Sequence, residues 1–292
     1  MASLRDIKRR ITSVKSTRQI TKAMKLVAAA KLRRAQENVL ASRPYAGKMS
    51  EVLASLSARQ KDSDHPLMAK REEKNVLILI ITSDKGLCGA FNANLYKAAN
   101  QLIHESEGKG IFMVTAGRKG RDFFRKKNVV MMESWVDYFR NLDYQLASKV
   151  ARELSQAYTS EKVDRAYIVY NEFKSVLAQK VVARQILPID SETLDDPGQA
   201  AEPGMEIDYI YEPSAAEIFS EILEKYLEVT IFQALLESWA SENGSRMTAM
   251  DNATRNASEM IEKLTMKYNR ARQTAITTEL IEIVSGADAL EG

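Results

Sequence analysis

Two residue types that build reactive sites are almost absent from this chain. Its 292 residues include one cysteine, Cys88, and two histidines, His65 and His104. A single cysteine excludes an intramolecular disulfide framework and a cysteine-rich zinc site. With so few histidines, a metal site would have to be mostly carboxylate. Long apolar runs are missing as well. None reaches the roughly 18 residues of a membrane span, and the opening "MASLRDIKRR" has no apolar signal core behind its charges. These absences predict a soluble, cytoplasmic chain with neither cofactor nor metal.

Proline is scarce, and its placement is informative. All six prolines (Pro44, Pro66, Pro188, Pro197, Pro203 and Pro213) fall between apolar patterns. Proline breaks helices and central strands alike. The chain therefore reads as three parts: residues 1–70, an N-terminal helix and connector; 71–212, a central α/β domain with an acidic loop at 190–212; and 213–292, a C-terminal helix.

Charge is strongly asymmetric along the chain. In residues 1–43, twelve Lys and Arg stand against Asp6 and Glu37, a net of +10. In residues 190–224, eleven acids meet no Lys or Arg, a net of −11. Such polarity concerns partners more than fold. The basic arm reads as a solvated helix face or as a contact for nucleic acid, an anionic surface or an acidic protein.

The first part has helical period. Leu4, Ile7, Ile11 and Val14 follow a 3-4-3 spacing, and the register continues through Arg18, Thr21 and Lys25 to Ala28, Leu32, Ala35 and Val39. That is a heptad seam with a polar middle. A second stripe, Ile20, Met24 and Val27, faces elsewhere. Arg43 precedes Pro44 and is pushed out of the helical region, so the helix is predicted to end there.

In the middle part the period changes. "NVLILIIT" (75–82), "IFMVTA" (111–116) and "NVVMME" (128–133) read as buried strands, with helices around 92–106, 117–127 and 141–158. That alternation predicts a parallel sheet with helices on its faces. "RAYIVYNEF" and "QKVVARQILPI" are close enough to form an antiparallel hairpin at the sheet edge.

The third part opens with Ser214 and Glu217, a capping-box pair just after Pro213. No proline follows, and Gly286 sits where a C-terminal stop belongs. Asn243-Gly244 is the internal weak point. Met247, Met250, Thr254, Ala257, Ile261, Leu264, Tyr268, Ala271 and Ala275 keep 3-4 spacing. Small residues in such a seam let helices approach closely but bury little apolar area.

The stretch "ITSDKGLCGAFN" (81–92) invites a reading as a phosphate-binding or catalytic loop. It matches neither the P-loop nor the dinucleotide fingerprint. Cys88 as a nucleophile would need a histidine partner, and nothing in the sequence places one beside it. The stretch reads as a strand-to-helix turn, with Gly86 and Gly89 supplying backbone freedom and Asn92 capping the next helix.

Several long runs resemble one family. "YNRARQTAITTELIEIVSGADA" (268–289) looks like the C-terminal signature of the ATP synthase gamma subunit, of the bacterial F-type. "SRMTAMDNATRNASEMIEKL" (245–264), "IKRRITSVKSTRQITKAMKLVAAAKLRRAQ" (7–36) and "ITSDKGLCGAFN" are similar to its other segments. The resemblance implies an α/β fold plus a long antiparallel α-helical coiled coil of the N- and C-terminal helices, with a central Rossmann-like mixed sheet. It implies a central rotor stalk with no catalysis of its own. That stalk would turn inside a ring of alternating alpha and beta subunits, sit on a membrane c-ring and bind the epsilon subunit. It would couple ion-driven rotation to ATP synthesis or hydrolysis from the cytoplasmic face of the plasma membrane. By the same resemblance, Arg272 and Gln273 contact beta-subunit loops, while Tyr209 and Glu212 contact the c-ring. Met24, on the second stripe of the first helix, reads either as a coiled-coil contact or, with Lys25, as a contact to the beta subunit. Chloroplast members carry an inserted cysteine pair, so their thiol regulation is not expected here. Two other classes compete: a basic coiled-coil protein binding nucleic acid, and a small-molecule enzyme built on the α/β domain. The basic arm lacks interleaved aromatics, and the α/β part lacks a convergent titratable set.

Overall fold

The computed structural model describes residues 3–59, 65–140, 142–176, 178–190 and 215–291. The chain divides into two compact units. One comprises residues 29–246; the other joins 1–28 to 247–292. Two long helices contribute to both: α1 (Leu4–Arg59) and α5 (Ala215–Glu291).

Between them lie β1 (Asn75–Ile81), α2 (Phe91–Glu105), β2 (Gly110–Ala116), α3 (Arg118–Phe124), β3 (Val130–Trp135), a 3-10 turn at Tyr138–Arg140, α4 (Tyr144–Thr159), β4 (Arg165–Phe173) and β5 (Gln179–Leu187). The strands form one sheet in the order β3-β2-β1-β4-β5. β1 pairs in parallel with β2 and β4, β2 pairs in parallel with β3, and β4–β5 is antiparallel at the edge. This is the expected mixed sheet.

β1 explains why its run is continuously apolar. Successive side chains point to opposite faces, and both faces are covered. Leu77, Leu79 and Ile81 enter a core with α4, Leu53 and Leu56 of α1, and Phe219, Leu223, Leu227 and Ile231 of α5. Val76, Ile78 and Ile80 enter the opposite core, with Phe91, Leu95 and Ala99 of α2 and Phe124 of α3.

The sequence predicts an end to α1 at Pro44, but the helix runs through it to Arg59. Proline inside a helix costs about 3 kcal/mol. Beyond it, Ala46, Leu53 and Leu56 are buried, and each large side chain contributes roughly 1.5–3 kcal/mol. Packing therefore outweighs the local penalty. The predicted stop at Gly286 fails too, since α5 continues to Glu291. A glycine ends a helix by turning left-handed, and Gly286 does not. Asn243-Gly244 is no weak point either. Both residues are buried, and a Cβ on Gly244 would lie 3.3 Å from Gln179 Nε2 and 3.5 Å from Phe173. That glycine permits a close approach. Ser214 of the capping box lies outside the described residues.

In the other unit, α1 and α5 run antiparallel. The Thr21 and Thr254 hydroxyls are 2.8 Å apart, and Lys25 Nζ lies 2.6 Å from Asp251 Oδ1. The rising number on one helix meets the falling number on the other, which fixes the direction. The predicted seams are the covered faces here. From Leu4 to Ala28 every seam position is buried or half-buried, and the same holds from Met247 to Ala271; Leu32, Ala35 and Val39, which belong to the residue 29–246 unit, are buried too. Ala275 is exposed. The half-buried Thr21–Thr254 contact joins the helices across the seam, and each hydroxyl also meets a carbonyl of its own helix, Arg18 for Thr21 and Met250 for Thr254.

Candidate partner-binding surfaces

The first candidate surface is the loop 82–90, at the C-terminal end of β1. It is a turn held by polar side chains. Asn92 Oδ1 accepts from the Ser83 amide at 3.1 Å, and its Nδ2 donates to Ser83 Oγ at 2.7 Å. Asn92 thus ties the loop to the strand end. It does not cap α2, whose N-cap Ala90 makes no side-chain bond. The predicted cap is corrected accordingly. Positive φ falls on Leu87 (65°) and Gly89 (58°), not on Gly86. Leu87 therefore holds a left-handed conformation with its side chain 64% exposed. Cys88 is buried beside Ser83 and Asn92, and burial pushes its thiol pKa up. A raised pKa leaves little thiolate, so the side chain packs instead of attacking. Neither histidine is near. His65 bonds Ser220, and His104 lies beside Glu107.

The residue that completes this loop escaped the sequence reading. Arg246 of α5 donates to the Gly86 carbonyl at 2.5 Å and more weakly to that of Lys85 at 3.4 Å. It also pairs with Glu242 one turn back. Its polar context in "SENGSRM" resembled a solvated helix face, and the i, i+4 Glu–Arg spacing was the available signal.

The second surface belongs to the paired helices. Ile20 and Val27 are exposed at 60% and 57%, while Met24 is half-buried. Lys25 is committed to Asp251, whose carboxyl its hydrogen bond holds below the ordinary range. Farther along α5, Arg272 and Gln273 are exposed, followed by exposed Ile276, Leu280, Ile281, Ile283 and Val284. Asp251, opposite Lys25, lies 21 residues before Arg272, or roughly 32 Å along the helix. Met24 and Lys25 therefore form one surface and Arg272 and Gln273 another. Tyr209 and Glu212 lie outside the described residues. Among the described residues there is no cluster of three metal-ligating side chains, and no helix is long and apolar enough to cross a membrane.

A chain of this fold with two long terminal helices has close relatives. The profile of the family described as ATP synthase matches residues 3–290. The ATP synthase gamma chain of Geobacter sp. (strain M21) is 53% identical over 294 residues, covering 100% of both chains. The chain belongs to the ATP synthase gamma family. The gamma chain of Chlorobaculum tepidum is 50% identical over 297 residues, again across 100% of each. Among solved structures, a chain of the central stalk and c-ring of the Tetrahymena thermophila mitochondrial ATP synthase aligns with TM-score 0.61 and 28% identity. It covers 80% of this chain and 99% of that one. A chain of the Euglena gracilis mitochondrial ATP synthase in rotational state 3 aligns with TM-score 0.67 over 98% of this chain and 94% of that one. Its 20% identity speaks for the fold alone.

Proposed function

We propose that this gamma-family chain is the central rotor stalk of an ion-translocating ATP synthase. It couples rotation of a membrane c-ring to ATP synthesis or hydrolysis on beta subunits, and it performs no chemistry itself. The observation that carries this is full-length identity of 53% to a gamma chain, with no part of either sequence left over. Its partners are the alternating alpha and beta subunits, epsilon and the c-ring. It is peripheral, at the cytoplasmic face of a bacterial plasma membrane.

Function follows from asymmetry. Two unlike helices, one basic and one with an apolar tip, offer a different face at each angle. A rotor shifts a beta subunit between states only through contacts that differ between those states. Arg272 offers a rigid fork of donors, suited to a carboxylate or a group of loop carbonyls on beta. Gln273, Met24 and Lys25 serve as further beta contacts, and Tyr209 and Glu212 as c-ring contacts. The functional division follows residues 1–70, 71–212 and 213–292. Affinity purification of the chain from its source membranes is the test. Alpha, beta, epsilon and c subunits in stoichiometric yield, with ATP-driven ion pumping after reconstitution, are expected. A chain recovered without alpha and beta overturns the reading.

A further inference from the structure

Glu237 lies within the residue 29–246 unit, on the stretch of α5 that faces the β4–β5 hairpin. Its Oε2 is shielded from solvent and has no hydrogen-bond partner, and Arg184 Nε on β5 is in the same condition. The charged groups around it come from several elements. Arg43 comes from α1. Glu172 lies on β4, with Lys174 just beyond it, and Lys180 is the register partner of Glu172 on β5. The cations have other commitments. Lys174 pairs with Glu172 at 2.7 Å, and Arg184 lies over the Tyr170 ring at 6.0 Å. Among the described residues, none makes an ion pair with Glu237. A carboxylate with one oxygen shielded and unbonded is costly to ionise, and a second carboxylate nearby adds to the cost.

The same stretch of α5 carries its polar attachment to the hairpin. The Asn171 amide donates to Ser238 Oγ at 3.2 Å, and Ser241 Oγ donates to the Asn171 carbonyl at 3.1 Å. Ser245 Oγ bonds the Gln179 side chain one turn farther on. Glu237 is adjacent in sequence to the first of these contacts.

We propose that Glu237 is a proton-binding site set into the joint between α5 and the β4–β5 hairpin, and that its ionisation loosens that joint. The neutral acid fits the joint. The carboxylate sets a charge against Glu172 in a shielded space and favours any opening that hydrates it. Burial first, and Glu172 second, push the carboxyl from an ordinary 4.5 up to about 7, and Arg43, Arg184 and Lys174 only partly oppose them. In the opened joint the carboxyl regains its ordinary value. Opening therefore releases a proton, and from pH 6 to pH 8 the opening constant should rise about tenfold.

Hydrogen exchange by mass spectrometry on the assembled complex is the test, with peptides spanning 168–173 and 236–245, from pH 6 to pH 8.5. After correction for intrinsic exchange, protection in these peptides should fall about tenfold from pH 6 to pH 8. Glu237→Gln should remove that dependence. Glu172→Gln, which removes the like charge, should move the fall to lower pH. Flat protection in the unaltered complex overturns the proposal, and so does an unchanged fall in Glu237→Gln. If Glu237→Gln does not assemble, Glu172→Gln decides: an unmoved fall overturns the proposal. Exchange is read independently of turnover, so this failure is distinct from failure of the rotor reading, which co-purification tests.

Discussion

The pair Arg246–Glu242 is the structure's sharpest quantitative commitment. The two side chains are 14% and 9% exposed, so each ion is withdrawn from water and depends on the other. Arg246→Ala would leave Glu242 buried without its cation. Burial already pushes the Glu242 carboxyl pKa up, and Arg246 is the first influence holding it down. Removing one partner of a buried pair costs about 3–5 kcal/mol. The bond to the Gly86 carbonyl goes too, but the two losses overlap, so about 4 kcal/mol is the expected total. Replacing both ions, with Arg246→Met and Glu242→Leu, leaves no orphaned charge and forfeits chiefly the carbonyl bonds. The double variant should lose only about 1–2 kcal/mol. Both tryptophans, Trp135 and Trp239, belong to this same unit. Urea unfolding of the full chain followed by tryptophan fluorescence therefore reports the right region. A loss below about 1 kcal/mol in Arg246→Ala, or a double variant no better than the single, would show that the two ions do not depend on each other.

Three further outcomes are expected. Pro44→Ala restores a helix hydrogen bond at an exposed position. After loss of proline's restraint on the unfolded chain, it should raise stability by about 2 kcal/mol, and a lowered urea midpoint would count against the account of α1. His65 accepts from the Leu67 amide through Nδ1, so Nε2 carries the proton toward Ser220 Oγ. Burial lowers its pKa from 6.5 against an opposing effect of Glu224; the stability it confers is whole above pH 6.5 and falls as pH drops below, and a melting-temperature profile from pH 5 to pH 8 should flatten there in His65→Gln. Arg272→Ala should leave assembly intact and lower ATP turnover of the purified complex by about one to two powers of ten, the worth of one charge-assisted hydrogen bond; unchanged turnover would sink the proposed beta contact.

The sheet was legible because burial on two faces leaves an unbroken apolar run, as in β1, while the hairpin showed in the short spacing of two β-branched runs. The helical seams were legible position by position, since 3-4 spacing survives even when the residues are Thr, Ala and Lys. Two of the misjudged features share one cause. Pro44 and Gly244 carry strong local rules, and each rule yielded to surroundings that the sequence does not display; at Gly286 the helix simply continues, and nothing in the structure explains why. At Pro44, distant leucines find a core; at Gly244, a neighbouring hairpin needs the room. The hold of Arg246 on the loop was hidden because its acceptors there are backbone carbonyls, which have no letter in a sequence.

That point bears on why "SDKGLCGAFN" resembles a ligand-binding loop without matching one. In doubly wound sheets, ligands settle beyond the C-terminal ends of strands, where neighbouring crossovers part. Here β1 lies between β2 and β4, and its following loop has the glycines of such a place. The groups that meet it come from the chain's own α5. Arg246 takes the carbonyls of Lys85 and Gly86, and Ser238 and Ser241 take both backbone groups of Asn171 at the end of β4. The same crevice geometry that holds a nucleotide elsewhere grips a helix. A stalk that transmits torque needs that grip, because a helix resting only on apolar contacts could slide along the sheet. Directional hydrogen bonds to fixed backbone groups oppose sliding, and losing those of Ser238 and Ser241 would disrupt buried hydrogen bonds of Asn171.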